Sequence, residues 1–279
     1  MTIWTVDNPQ RLDLTEPVTQ LDVRLVSGRL NVVGTDGPAR VDVTGISGRP
    51  LVVELHDGRL TVRYERTGRW PGVLWSFGRL HRQFHADVSL AVPTEVLADL
   101  HLVSGELVAS GLRRDTRVHV TSGRVTLKGL RGRTTANAVS AHVEALGIGG
   151  DLDLETVSGE LALADSAPER IRAHTVSGSI TCDLDNPRGG EIRLSAISGG
   201  ITVRVREDSD LTVHLHTTSG RITSAFPQVG GGRQGLGPIK DSRGVLGAGG
   251  GRLSATATSG SIALLARPVA TVDDREDLP

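Results

Sequence analysis

The dipeptide Ser-Gly recurs along the chain at near-constant spacing, and that period limits the possible folds more than any other feature. It stands at Ser104-Gly105, Ser122-Gly123, Ser158-Gly159, Ser177-Gly178, Ser198-Gly199, Ser219-Gly220 and Ser259-Gly260, with a degenerate copy at Ser140-Ala141. Successive serines are 18, 18, 18, 19, 21, 21 and 40 residues apart, the last interval being two periods or one period with an insertion. A fixed period near 20 residues marks stacked supersecondary units, none of which can bury its apolar face alone.

Aligning the copies on the serine exposes their internal pattern. Three residues after it stand Leu107, Val125, Val143, Leu161, Ile180, Ile201, Ile222 and Ile262. Four residues before it stand Leu100, Val118, Ala136, Leu154, Ala173, Leu194 and Leu215, and the intervening positions are more polar. Period-2 alternation on both sides of a glycine describes two strands joined at a bend, each with one buried face. No segment sustains a helical period. The chain is all-β. With only seven aromatic residues among 279, its core must be filled by Val, Leu, Ile and Ala, which suits thin β layers.

Two architectures fit such a unit. In a β-solenoid each Ser-Gly is a corner, and equivalent strands of successive coils stack in register about 4.8 Å apart. In an antiparallel meander each Ser-Gly is a tight hairpin turn. Two-residue hairpins prefer Asn-Gly or Asp-Gly; the first is absent here, and the second occurs only in the N-terminal segment. Equal spacing also suits coils whose circumference is set by their neighbours. These arguments favour a β-solenoid, parallel-β-helix-like, of 18–21-residue coils. Leu107, Val125, Val143 and Leu161 would then form one buried row.

The segments "LHLVSGELVASGL", "VHVTSGRVTLKGL" and "IRAHTVSGSITCDL", preceded by "ADVSLAVPTEVLADL", resemble the bacterial adhesin-like family of β-strand-repeat proteins, domain of unknown function 4097. The resemblance covers roughly Asp87 to Ala266. It implies a β-solenoid without a catalytic site, and the adhesin label implies surface exposure.

The organisation expected along the chain is as follows. Residues 1–66 form an N-terminal antiparallel β-hairpin region that caps the stack, with Ser27-Gly28, Ser47-Gly48 and Asp57-Gly58 as candidate turns. Residues 67–86 are an aromatic and basic loop, and residues 87–266 are the solenoid repeats. Residues 227–252, with ten glycines and no strand pattern, are an insertion, and residues 267–279 are a disordered acidic tail.

Bulk properties narrow the function classes. The net charge is -1, so no global field favours nucleic acid or an anionic membrane. Cys182 is the only cysteine, which excludes an intrachain disulfide. No apolar run approaches the roughly 20 residues of a membrane span. Met1 to Gln10 has neither a basic n-region nor an apolar h-region, so a cytoplasmic location is expected.

Three groups of side chains are candidate sites. The loop from Arg69 to Phe84 carries Trp70, Trp75, Phe77, Arg79 and Arg82. Clustered aromatics and arginines suit either a plug on the first coil or an interaction surface. The position three before the serine reads His101, His119, Asn137, Glu155, His174, Ser195 and His216 on the outward parity. In a stack His101 and His119 are direct neighbours and could share a transition metal, although a solvated polar ladder is the more ordinary reading. Asp151, Asp153 and Glu155 share one strand face and could hold Ca²⁺, but Arg133, Arg170 and Arg172 on the adjacent coils favour ion pairs. "GGGRQGLG" fits neither a Walker A loop nor a Rossmann turn.

No metal, cofactor, nucleic acid or small-molecule ligand is therefore expected. The expected function is a non-enzymatic β-solenoid scaffold or adhesin-like binding module, acting through protein–protein contact or self-association. The alternative is a carbohydrate-binding or carbohydrate-active β-helix protein. That reading calls for carboxylates beside aromatic platforms, and here the two lie far apart in the sequence.

Overall fold

In the computed structural model, which describes residues 1–65, 84–166, 169–185, 189–230 and 240–268, every Ser-Gly of the repeats is a corner. The N-terminal strands are β1 (Thr2–Val6), β2 (Gln10–Asp13), β3 (Gln20–Thr35), β4 (Arg40–Gly48), β5 (Leu51–His56), β6 (Arg59–Tyr64) and β7 (Phe84–Pro93). Three long bent strands follow, β8 (Leu97–Ser110), β9 (Thr116–Lys128) and β10 (Thr134–Leu146). Later coils split at the corner into two strands each: β11 (Asp151–Ser158) with β12 (Leu161–Ser166), β13 (Arg170–Ser177) with β14 (Ile180–Leu184), and β15 (Glu191–Ser198) with β16 (Ile201–Arg206). The remainder is β17 (Leu211–Thr217), β18 (Ile222–Ser224), β19 (Asp241–Leu246), β20 (Gly251–Ser259) and β21 (Ile262–Arg267).

Both arms of a coil pair in parallel with the same neighbouring coil, which establishes the solenoid over the meander. Ser104 pairs with Ser122, Ser122 with Ser140, and Ser140 with Ser158. The expected row is present: Leu107, Val125, Val143 and Leu161 stand in register and are buried. It continues through Ile180, Ile201, Ile262 and Ile222. Leu100, Val118, Ala136 and Leu154 line the opposite arm, also buried. The core is the space between the two arms. Each buried Leu, Ile or Val contributes about 1.5–3 kcal/mol of transfer free energy, and no coil could keep that contribution without its neighbours. A second bend closes each turn, where Leu112, Leu130 and Ile148 are buried. Ser166 ends the next coil, and its hydroxyl accepts from Ile148 N at 3.0 Å while donating to Ala164 O at 2.8 Å.

Gly123 shows why the corner is glycine. Its φ is +124°, and a Cβ built there would lie 1.9 Å from the carbonyl oxygen of Gly105 in the adjacent coil. Ala141 occupies the same column without a positive φ and turns its methyl inward, 3% exposed. The degenerate corner thus avoids strain by a different backbone path. Ala141→Gly is expected to cost about 1–2 kcal/mol, from a lost buried methyl and a freer unfolded chain. Urea denaturation checks this, and an unchanged midpoint would show that the methyl contributes nothing.

Three expectations need correction. First, Ser27-Gly28 is not a hairpin turn. β3 runs parallel to β8 with Ser27 opposite Ser104 and Gly28 opposite Gly105, so residues 20–35 are themselves a coil. Its two arms are extended by β6 and β7, each parallel to β3, and beyond them by antiparallel strands, β5 and β1 on one arm and β4 and β2 on the other. Of the three candidate turns, Asp57-Gly58 is the tight hairpin, joining β5 to β6 with φ of +48° and +75°. Second, the 227–252 segment is not strandless, because β19 pairs antiparallel with β17. Third, the coils do not stack in sequence order. β20 and β21 lie between the β15–β16 and β17–β18 coils, so Ser198 pairs with Ser259. The antiparallel return through β19 carries the chain back across β17 and leaves β20 on its inner side. Phe226 and Val229 are buried at this end. Arg267, placed in the expected tail, ends β21 and forms ion pairs with Asp183 at 3.5 Å and with Asp185.

Candidate functional site

The interaction residues expected in the aromatic loop, Trp70, Trp75, Phe77, Arg79 and Arg82, lie outside the described residues. Phe84 belongs to β7, where its ring meets Tyr64 edge-on at 5.3 Å and the Arg49 guanidinium at 5.3 Å.

The outward histidine column exists. It runs from His101 through His119, Asn137, Glu155 and His174 to Ser195, with Arg24 of β3 before it. His101 and His119 stack with ring centroids 4.7 Å apart and planes 17° from parallel. Asp99, two residues before His101 and therefore on the same face, brings Oδ1 to 3.0 Å from His101 Nε2. That oxygen is buried and engaged in no hydrogen bond. Asp99, His101 and His119 each offer a ligand atom within 4.8 Å of the others. Desolvation, and then the charge of His101, push the pKa of His119 below the usual imidazole range. A shallow cleft of about 320 Å³ opens beside Asp99 between Gln20, Arg59 and Arg117.

At the far end, β19 pairs its Asp241 with His216 in register. One Asp241 oxygen lies 3.3 Å from His214 and 3.4 Å from His216, while Arg243 reaches the other at 3.2 Å. Desolvation raises the Asp241 pKa, but the His214 hydrogen bond and the Arg243 charge outweigh it and hold the carboxyl low. On the acidic strand Asp151 is ion-paired, receiving Arg133 at 3.3 Å and Arg170 at 3.1 Å, while Asp153 and Glu155 stand in register with Arg172 and His174. Two guanidiniums at one carboxylate oppose a calcium reading there.

A fourth feature escaped the sequence reading. Two successive residues face outward at the convex side of each corner, and the first of them is β-branched in every copy. Val139, Val157, Val176 and Ile197 form a ridge on four adjacent coils, 49%, 50%, 37% and 45% exposed. The serines beside them, Ser140, Ser158, Ser177 and Ser198, are also exposed, so this strip carries no charge. The signal was available: an apolar residue on the outward parity, repeated coil after coil, has no packing role within its own coil.

The Toastrack DUF4097 family model matches residues 39–265. The chain belongs to this family. No curated protein matches the chain. Solved structures similar to this Toastrack chain include a "putative lipid binding protein" from Parabacteroides distasonis, at 9% identity and a TM-score of 0.47, covering 93% of this chain and 97% of that one. A "putative adhesin" from Bacteroides fragilis is similar at 12% identity and a TM-score of 0.38, covering 93% and 98%. A "putative cell adhesion protein" from Clostridium sporogenes is similar at 10% identity and a TM-score of 0.30, covering 93% and 100%.

Among the described residues of the Toastrack chain no helix is long and apolar enough to cross a membrane. Cys182 lies in the core, where burial pushes its thiol up to about 12, so it serves packing.

Proposed function

We propose that this Toastrack protein is a non-enzymatic scaffold that associates with a second copy of itself through the corner ridge. One observation carries the reading: four β-branched side chains stand exposed in register, with an uncharged row of serines beside them. Exposed apolar residues scattered singly need no explanation, whereas an ordered row of them does. The ridge spans four rungs of a ladder whose step is about 4.8 Å. A second copy related by a two-fold axis has the same step, so every rung finds a rung. The axis passes between Val157 and Val176 and sets the Val139 end of one copy against the Ile197 end of the other. No charge is desolvated across the strip, which keeps the polar cost of association low. So narrow a surface falls at the weak, transient end of interface sizes.

Sedimentation across a range of protein concentration tests this. The wild-type chain is expected to move from monomer towards dimer, and Val157→Asp with Val176→Asp is expected to remain monomeric. Both positions are exposed, so the double variant should unfold within about 1 kcal/mol of the wild type. A wild-type chain that stays monomeric throughout, or a double variant that dimerises equally well, would overturn the proposal.

A further inference from the structure

We propose that Asp99, His101 and His119 form a binding site for a divalent transition-metal ion of the zinc or copper class. The chemistry of the set selects that class. Two imidazole nitrogens and one carboxylate oxygen are the donors that zinc and copper take, whereas magnesium and calcium favour oxygen alone. The geometry lies close to what the ion needs. Ligand atoms around a tetrahedral zinc ion are about 3.3 Å apart, given Zn–N and Zn–O lengths near 2.0–2.1 Å. The three donors here lie within 4.8 Å of one another, and Asp99 Oδ1 and His101 Nε2 are already 3.0 Å apart.

The remaining adjustment falls on the imidazoles, which are stacked face to face and partly exposed. Rotation about their side-chain bonds tips both lone pairs towards one point without moving the strands. The carboxylate supplies a second indication. Asp99 Oδ1 is buried and has no hydrogen bond although an imidazole nitrogen lies at 3.0 Å, an arrangement that an ion set to one side and bound by both atoms would satisfy. The backbone is fixed in advance, because Asp99 and His101 lie within β8 and His119 lies opposite His101 on β9. The imidazoles of His101 and His119 are partly exposed, so water can complete the coordination of the ion.

The surrounding charges set the strength of the site. Arg24, opposite His101 on β3, is drawn to Asp22 at 3.1 Å, and Arg59 reaches the same carboxylate at 3.1 Å. Arg117, in the column of Asp99, is the cation that opposes the metal.

The test is a calorimetric titration of the full chain, free of any histidine tag, with Zn²⁺ alone, alongside the visible spectrum of the Co²⁺ form. One ion per chain is expected. His119→Ala and Asp99→Asn should each weaken binding at least about tenfold, the order of loss seen when groups of a metal site are removed. Arg117→Gln should tighten it by removing a like charge. His174→Ala, on the same face but away from the cluster, should change nothing. Metal-free thermal unfolding of each variant shows whether a lost site is merely a lost fold. Wild-type protein that binds no Zn²⁺ would overturn the proposal. So would binding that survives in His119→Ala, which would assign the ion to another site such as His214, His216 and Asp241.

Discussion

Replacing Gly123 by alanine is expected to lower stability by more than about 3 kcal/mol, or to prevent folding altogether. Two costs add. A φ of +124° is a conformation that residues with a Cβ adopt only under strain, at about 1–3 kcal/mol. The new methyl would also lie 1.9 Å from Gly105 O and 2.9 Å from Gly105 C, so two coils must separate at the corner and weaken their ladder bonds. The obstacle is backbone and cannot rotate aside. Gly105 is held from the other side too, because it pairs with Gly28 of the first coil in the same column. Arg124→Ala, one residue along and exposed, should stay within about 0.5 kcal/mol. Urea denaturation of the two variants side by side decides the matter. A Gly123→Ala chain within 1 kcal/mol of wild type would show that the corner can take another path, as it does at Ala141.

The ladder itself was legible because it follows from local chemistry. Alternation assigns Leu107 and Val125 inward whatever the topology, and equal spacing places them side by side. The order of the coils was not legible. Period and parity state that a coil with Ser259 fits against one with Ser198, and equally that Ser219 does. What decides is the antiparallel return of β19, a strand whose alternation is hidden because Ser242 and Gly244 precede Leu246 on its inner face. The first coil carried a readable signal that spacing alone obscured: Leu25-Val26-Ser27-Gly28 repeats Leu102-Val103-Ser104-Gly105, and these two stretches pair directly. The histidine pair was also readable as a stack, but Asp99 was not joined to it. It belongs to the neighbouring column, and only the shared face of residues two apart brings it within reach.

Val125→Asp is expected to destabilise the chain by more than about 4 kcal/mol, through lost apolar burial of about 1.5–3 kcal/mol and the desolvation of a carboxyl group. Val125 is 1% exposed and sits between Leu107 and Val143 in the buried row, with no donor in that row to satisfy an aspartate. The group would fold only if neutral, which raises its folded-state pKa above the unfolded value. The folded state then holds the proton more tightly, so the variant should recover stability as pH falls towards and below the ordinary carboxylate range. Thr126→Asp, one residue along on the outward parity, should cost less than about 1 kcal/mol and show no such recovery. Position in the stack sharpens the expectation. Val125 has a coil on either side, whereas among the described residues Ile222 on β18 pairs with Ile262 alone, so Ile222→Asp should cost less. Equal losses at the two sites would mean that the stack unfolds as a single unit, and equal tolerance of aspartate at Val125 and Thr126 would refute the assignment of the inner face.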